Sequence, residues 1–166
     1  MSNTGSIDAN DLSVIERQLS RQPRGVLEIS ARCVCSDPLV VRTLPRLPDG
    51  TPFPTTYYIT CPKLSGAIGT LESSGLMREM EELLEQDPGL AAHYAAAHAD
   101  YLAERNSIEF VAELDGISAG GMPTRVKCLH VLIGHALAKG PGVNPLGDLA
   151  LERLEPLWNV NRCAHR

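Results

Sequence analysis

The sequence predicts an α+β fold, with a small three-stranded antiparallel sheet near the N-terminus packed against about five helices. Three segments in the first third of the chain are rich in β-branched and aromatic residues and are bounded by Pro, Gly and Asp, which is typical of strands. After Pro62, apolar residues instead recur at helical spacing, interrupted by glycine and proline. The strands therefore precede the helices.

The N-terminal elements follow from local patterns. A short amphipathic helix is predicted for NDLSVIERQLSRQP, because Leu12, Ile15 and Leu19 fall on one face. The three strands that follow are predicted in GVLEISARC, PLVVRTL and TTYYITC, and they form an antiparallel meander. In a meander the first and third strands run parallel, so both end at the same edge of the sheet.

The helical part is divided by capping residues, prolines and glycines. Apolar spacing predicts two segments from Leu64 to Leu83, followed by three further helices. The predicted boundaries are a break near Gly75, an N-cap at Asp87, an end near Asn106, a start at Pro123, an end at Gly140 and a last N-cap at Asn144.

Composition limits the class of protein. The 166 residues predict a single domain, 1–166, with flexible tails at 1–8 and 159–166. A formal charge of −5 disfavours nucleic acid as a partner. We expect no membrane association, since no apolar run approaches the roughly 18 residues of a membrane span. The start MSNTGSIDAND lacks the features of a secretory signal, so a cytoplasmic location is expected.

Cysteines are the first candidates for a metal site. Thiols stay reduced in the cytoplasm, so no disulfide framework is expected. Cys33 and Cys35 follow the first strand and Cys61 ends the third, so all three are predicted to meet at one sheet edge. With Cys128, or alternatively one of the histidines, as the fourth ligand, they would bind zinc, or as an alternative an iron–sulfur cluster. The other interpretation is that these cysteines are small apolar residues of the core.

A second candidate site is the stretch GGMPTRVKCLHVLIGHALAKGPGVNPLGD. Two glycines precede a predicted helix start, where unpaired amides and a partial positive charge favour anions. Gly120, Gly121, Arg125 and Lys127 are therefore predicted to bind a small anionic ligand, such as a phosphate or carboxylate. The alternative is a solvated first turn in which Arg125 pairs with an acidic neighbour.

The same stretch contains the candidate catalytic residues Cys128, His130 and His135. Helix geometry places Cys128 and His135 on one face but about 10 Å apart, and turns His130 away from His135. At most one or two of the three can share an ion. For His135, among Leu, Val, Ile and Ala, the alternative is a packed core histidine bonded to a carbonyl.

A resemblance to the bacterial family catalogued as domain of unknown function 501 is carried by three segments, LPDGTPFPTTYYITCPKL, GTLESSGLMRE and MPTRVKCLHVLIGHALAKGPGVNPLGD. It spans roughly residues 10 to 150. The family is mainly actinobacterial, and the resemblance implies no established activity or cofactor. Its members are often encoded beside a septum-formation initiator protein, an enolase and an exopolyphosphatase. They carry Cys-Pro-Cys-Gly where this chain has Cys33-Val34-Cys35-Ser36.

Three functional interpretations follow. The first is a protein that binds zinc through its cysteines. The second is an enzyme that acts on a small anionic or phosphorylated substrate at residues 120–130. The third is an interaction module for a cell-division or metabolic partner, or for a second copy of the chain. No recognisable triad or pair of carboxylates in the sequence favours the second.

Overall fold

The computed structural model describes residues 5–162, and these residues form a three-stranded antiparallel sheet and six α-helices. The strands are β1 (Val26–Arg32), β2 (Pro38–Thr43) and β3 (Tyr57–Ile59), in the spatial order β1-β2-β3. The predicted α+β class and the antiparallel meander are confirmed. The outer parts of the predicted tails, including Cys163, lie outside the described residues.

The helices lie where apolar spacing and capping predict them, with one exception. Their bounds are α1 (Ala9–Leu19), α2 (Pro62–Glu72), α3 (Leu76–Gln86), α4 (Pro88–Ile108), α5 (Leu129–Lys139) and α6 (Pro145–Leu154). None of the six helices found between residues 5 and 162 is long and apolar enough to cross a membrane.

The exception is the helix predicted to begin at Pro123, which begins at Leu129 instead. The preceding residues form a compact loop in which Gly120 and Gly121 adopt positive φ angles of 61° and 94°. The carbonyl of Gly120 accepts hydrogen bonds from the amides of Lys127 and Cys128, at 2.8 and 3.3 Å. The prediction was wrong because a proline after two glycines is equally compatible with a turn.

The sheet is covered on both faces. Val40 packs into the main core with the helices, and its neighbour Val41 packs with Ile15 of α1 and Ile29 of β1. This alternation is the period of two expected of a strand buried on both sides. The register of β1 shifts between Ile29 and Ala31, so these residues contribute to different cores although they are two positions apart.

Helix α5 lies at the centre of the molecule. A side chain at Gly134 would come within 2.8 Å of the Tyr57 carbonyl, so glycine allows α5 to approach β3 closely. A side chain at Gly147 would collide with the Leu132 carbonyl, so α6 approaches α5 equally closely. This packing places the start of α5 beside α2.

Candidate functional site

A compact group of metal-ligand side chains forms where α2 meets the start of α5. Glu72 is the last residue of α2, Cys128 is the N-cap of α5, and His130 lies in the first turn of α5. One ligand atom from each lies within 4.8 Å of the other two, and all three residues are partly buried. The Cys128 side chain makes no capping hydrogen bond to the helix.

Both nitrogens of the His130 ring contact α2. Nδ1 bonds to Oε1 of Glu72, and Nε2 lies 3.1 Å from Oγ of Ser65. Ser65 and Glu72 are seven residues apart, which is close to two helical turns, so α2 presents both to the same neighbour. Both ring nitrogens of His130 therefore have a partner on α2.

The electrostatics of the group favour a positive charge. A hydrogen bond to the Cys128 side chain and the negative charge of Glu72 raise the pKa of His130, although partial burial opposes the shift.

A cleft of about 310 Å³ opens beside this group. Cys128, His130 and Ser65 line it, so two of the three potential ligands reach solvent through it. The remaining lining residues come from β3, from the segment that precedes it and from α5: Thr55, Tyr57, Tyr58, Ile59 and Val131. A separate cavity of about 30 Å³ near Leu19 contains none of the candidate residues.

The structure does not bring the predicted cysteine ligands together. Within residues 5–162, the group with three suitable atoms inside 4.8 Å is Glu72, Cys128 and His130, and of the predicted set it contains Cys128 alone. Cys33 and Cys61 do follow strands that run in the same direction, but β2 lies between them. Two strand spacings separate the backbones by about 10 Å.

The cysteines beside the sheet pack against apolar residues instead. Cys61 is buried in the main core, and Cys33 is partly buried against it. Cys35 is also partly buried. For Cys61 and Cys33 this is the environment of small apolar core residues, which is the other interpretation that their sequence context allows.

In the loop predicted to bind an anion, several backbone amides already donate hydrogen bonds to other groups of the protein. The amide of Arg125 donates to the Gly121 carbonyl, and the amide of Lys127 donates to that of Gly120. The amide of Val126 donates to the Glu81 carboxylate at 3.0 Å, and the exposed Arg125 guanidinium lies 3.4 Å from the same oxygen. The groups that remain available to bind an anion are the Arg125 and Lys127 side chains and the first amides of α5.

His135 lies apart from Cys128 and His130, in the core. It is 0% exposed, and its Nε2 lies 2.8 Å from a carboxylate oxygen of Asp100. Its Nδ1 lies 3.2 Å from the Asn144 side-chain nitrogen. The ring stacks on Tyr57 and meets the edge of Tyr101. Burial lowers the pKa of His135, and the Asp100 carboxylate only partly offsets this.

Sequence reasoning missed Glu72, a member of the group, and Ser65, which contacts His130. A signal was present: they are polar residues at a spacing of seven, beside the apolar stripe of Leu64, Ile68 and Leu71. Glu72 is also the only acidic residue of α2. Their relation to Cys128, more than fifty positions away, follows only from helix packing.

Comparison with known proteins places the chain in a family. The family model described as "Protein of unknown function (DUF501)" matches residues 29–152. The chain belongs to this family. The match to DUF501 includes Ser65, Glu72, Cys128 and His130. No curated protein and no solved structure matches the chain.

Proposed function

We propose that this protein binds a zinc ion through Glu72, Cys128 and His130. The observation that carries the proposal is the approach of a carboxylate oxygen, a thiol sulfur and an imidazole nitrogen to within 4.8 Å of one another. These are the three kinds of donor that zinc accepts in proteins. An iron–sulfur cluster fits less well, because such clusters are usually held by four cysteine thiolates.

The geometry needs only a small adjustment, because the three donor atoms already lie within 4.8 Å of one another and only the hydrogen-bonded His130 Nδ1 and Glu72 Oε1 would have to move apart. Ligands around tetrahedral zinc are about 3.5 Å apart, given bonds of about 2.0 to 2.3 Å. In the proposed complex, His130 Nδ1 and Glu72 would both hold the zinc ion in place of the proton between them. The opposite nitrogen, Nε2, then donates to Ser65 Oγ, which orients the ring as outer-shell partners of metal-bound histidines do. A cytoplasmic location, which we also propose, keeps the Cys128 thiol reduced.

The direct test is the metal content of the full chain purified without a metal-affinity tag. We expect about one zinc per chain. A chelator should remove the zinc and lower the melting temperature of the protein, since zinc binding stabilises the folded state. Binding also displaces protons from the ligands, so zinc titration should release protons into a weakly buffered solution. Substoichiometric zinc together with an unchanged melting temperature in chelator would contradict the proposal.

A second candidate function is nucleophilic catalysis without a metal. It is favoured by the Ser65–His130–Glu72 arrangement, in which a hydroxyl contacts one ring nitrogen and a carboxylate contacts the other. This is the relation of nucleophile, base and orienting acid in a catalytic triad.

Replacing Ser65 by Ala separates the two candidates. If zinc is bound, S65A should weaken zinc affinity by about 10- to 100-fold, the usual effect of losing an outer-shell partner, and leave a measurable site. If Ser65 is a nucleophile, zinc is irrelevant and a fluorophosphonate probe should label wild-type protein but not S65A. The exposed Ser13→Ala, on α1, is the matched control and should change neither readout.

The remaining sequence predictions stay predictions. Weak binding of a small anion would use the Arg125 and Lys127 side chains. A protein partner, or a second copy of the chain, belongs to the third interpretation.

A further inference from the structure

We propose that the zinc at Glu72, Cys128 and His130 has a fourth position open to the cleft, where an exchangeable water hydrolyses small neutral esters or amides. This inference rests on the proposed zinc site and assigns it a reaction and a substrate class.

The number of ligands is the first reason. Structural zinc sites have four protein ligands, whereas catalytic sites have three and keep one position for water. Among residues 5–162, the group consists of three side chains, one each of Glu, Cys and His. Since none of the described residues adds a fourth ligand to this group, the fourth coordination position of the zinc is available to water.

The position of the cleft is the second reason. Cys128 and His130 are both ligands and lining residues, so the metal is adjacent to the opening. The His130 side chain keeps 35% of its surface exposed, which is unlike a ligand enclosed in a structural site. At about 310 Å³, the cleft is at the lower end of the range for small-molecule sites, roughly 300 to 1,000 Å³, so it suits a small substrate.

The lining gives the substrate class. No Lys, Arg, Asp or Glu is among the lining residues, which include Tyr58, Ile59 and Val131. Apart from the proposed metal and its ligand His130, a phosphorylated substrate would find no cationic group among the lining residues. A neutral substrate with an apolar or aromatic group is the better match, with the hydroxyls of Thr55 and Ser65 as polar contacts.

The reaction balances with water as the only co-reactant. Zinc lowers the pKa of its bound water, which gives a proton to solvent and becomes hydroxide. The hydroxide oxygen attacks the carbonyl carbon, and the bond from that carbon to the alcohol oxygen, or to the amide nitrogen, breaks with its electron pair. The leaving group takes up a proton from solvent. The carboxylic acid product gives its own proton to solvent and departs as the carboxylate.

The test begins with cobalt in place of zinc in the full chain, because Co²⁺ reports its coordination by visible absorption. We expect one equivalent to bind, with a sulfur-to-metal charge-transfer band that Cys128→Ser removes. Acetohydroxamate should then shift the visible bands of the wild-type complex by occupying the open position. If cobalt does not bind, both the zinc proposal and this inference fail. If it binds but acetohydroxamate leaves the spectrum unchanged, the fourth position is closed and this inference alone fails.

Activity is tested with 4-nitrophenyl acetate and with 4-nitrophenyl phosphate. The zinc-loaded protein should hydrolyse the acetate at least about tenfold faster than the metal-free protein, and should not hydrolyse the phosphate. Thr55→Trp, which fills the cleft without replacing a ligand, should abolish the acetohydroxamate shift and the activity but retain bound metal. Thr51→Trp, at an exposed position outside the cleft, is the control. Activity that survives chelation and disappears in S65A would assign hydrolysis to the serine arrangement and overturn the inference, as would preference for the phosphate.

Discussion

Replacing Cys128 by Ser is expected to abolish stoichiometric zinc binding, while replacing Cys33 by Ser leaves it intact. Loss of the only thiol in the group removes one of three protein ligands. We expect zinc affinity to fall by more than about 100-fold, because even outer-shell partners contribute about 10- to 100-fold. Competition with a chromophoric zinc chelator measures the affinity directly.

The pair of variants separates two metal sites. The sequence predicts that Cys33, Cys35, Cys61 and Cys128 share an ion, and in that case both C33S and C128S would lose zinc. The site at the α2–α5 contact predicts loss in C128S, and also in His130→Ala and Glu72→Gln, but not in C33S. Retention of full zinc affinity in H130A would contradict the proposed site whatever the cysteine variants do.

Replacing His135 by Ala is expected to destabilise the protein by about 2 to 5 kcal/mol, the range for truncating a large buried side chain to alanine. The change leaves a cavity between Tyr57 and Tyr101 and takes a hydrogen-bond partner from Asn144, which is itself 0% exposed. Denaturant unfolding at neutral pH measures the effect. The exposed His93→Ala is the control, and we expect it to cost no more than about 1 kcal/mol.

The pH dependence of this difference provides an independent check. Burial lowers the pKa of His135 in the folded protein, whereas the unfolded chain has an ordinary histidine pKa of about 6.5. Above that pH both states are neutral and the full stability is present. As the pH falls below about 6.5, the unfolded chain takes up a proton that the folded protein resists, so stability is lost. The stability difference between wild type and H135A should therefore shrink on acidification, and a constant difference would contradict the buried, neutral state.

Much of the fold could be predicted because its signals are local. The prolines at 62, 88 and 145 begin helices, and Asp87 and Asn144 accept capping hydrogen bonds as their sequence context indicates. The three β-rich segments became three strands in the expected meander. The start of α5 was misplaced because the cue at Pro123 is shared by helices and turns. There the decisive hydrogen bonds, from Lys127 and Cys128 back to Gly120, span seven and eight positions.

The candidate site could be predicted only in part, for a different reason. Its two α5 residues, Cys128 and His130, were recognisable as reactive side chains at a helix start. Their partners Ser65 and Glu72 were not, because a serine and a glutamate on an amphipathic helix are ordinary in composition. The predicted convergence of Cys33 and Cys61 followed correctly from strand direction, yet it neglected the width of the intervening strand β2.

The sequence by itself determined the α+β class, the order of its elements and the reactive groups available to the protein. These depend on periodicity, capping and residue type, which act over a few positions along the chain. Only the tertiary structure decided which of those groups meet. The close approach of α5 to β3 at Gly134 sets the position of α5, and its packing beside α2 brings Glu72 to His130 across 58 positions. Packing distances of a few ångströms decide whether side chains lie close enough to share an ion or remain scattered, and no local sequence pattern determines these distances.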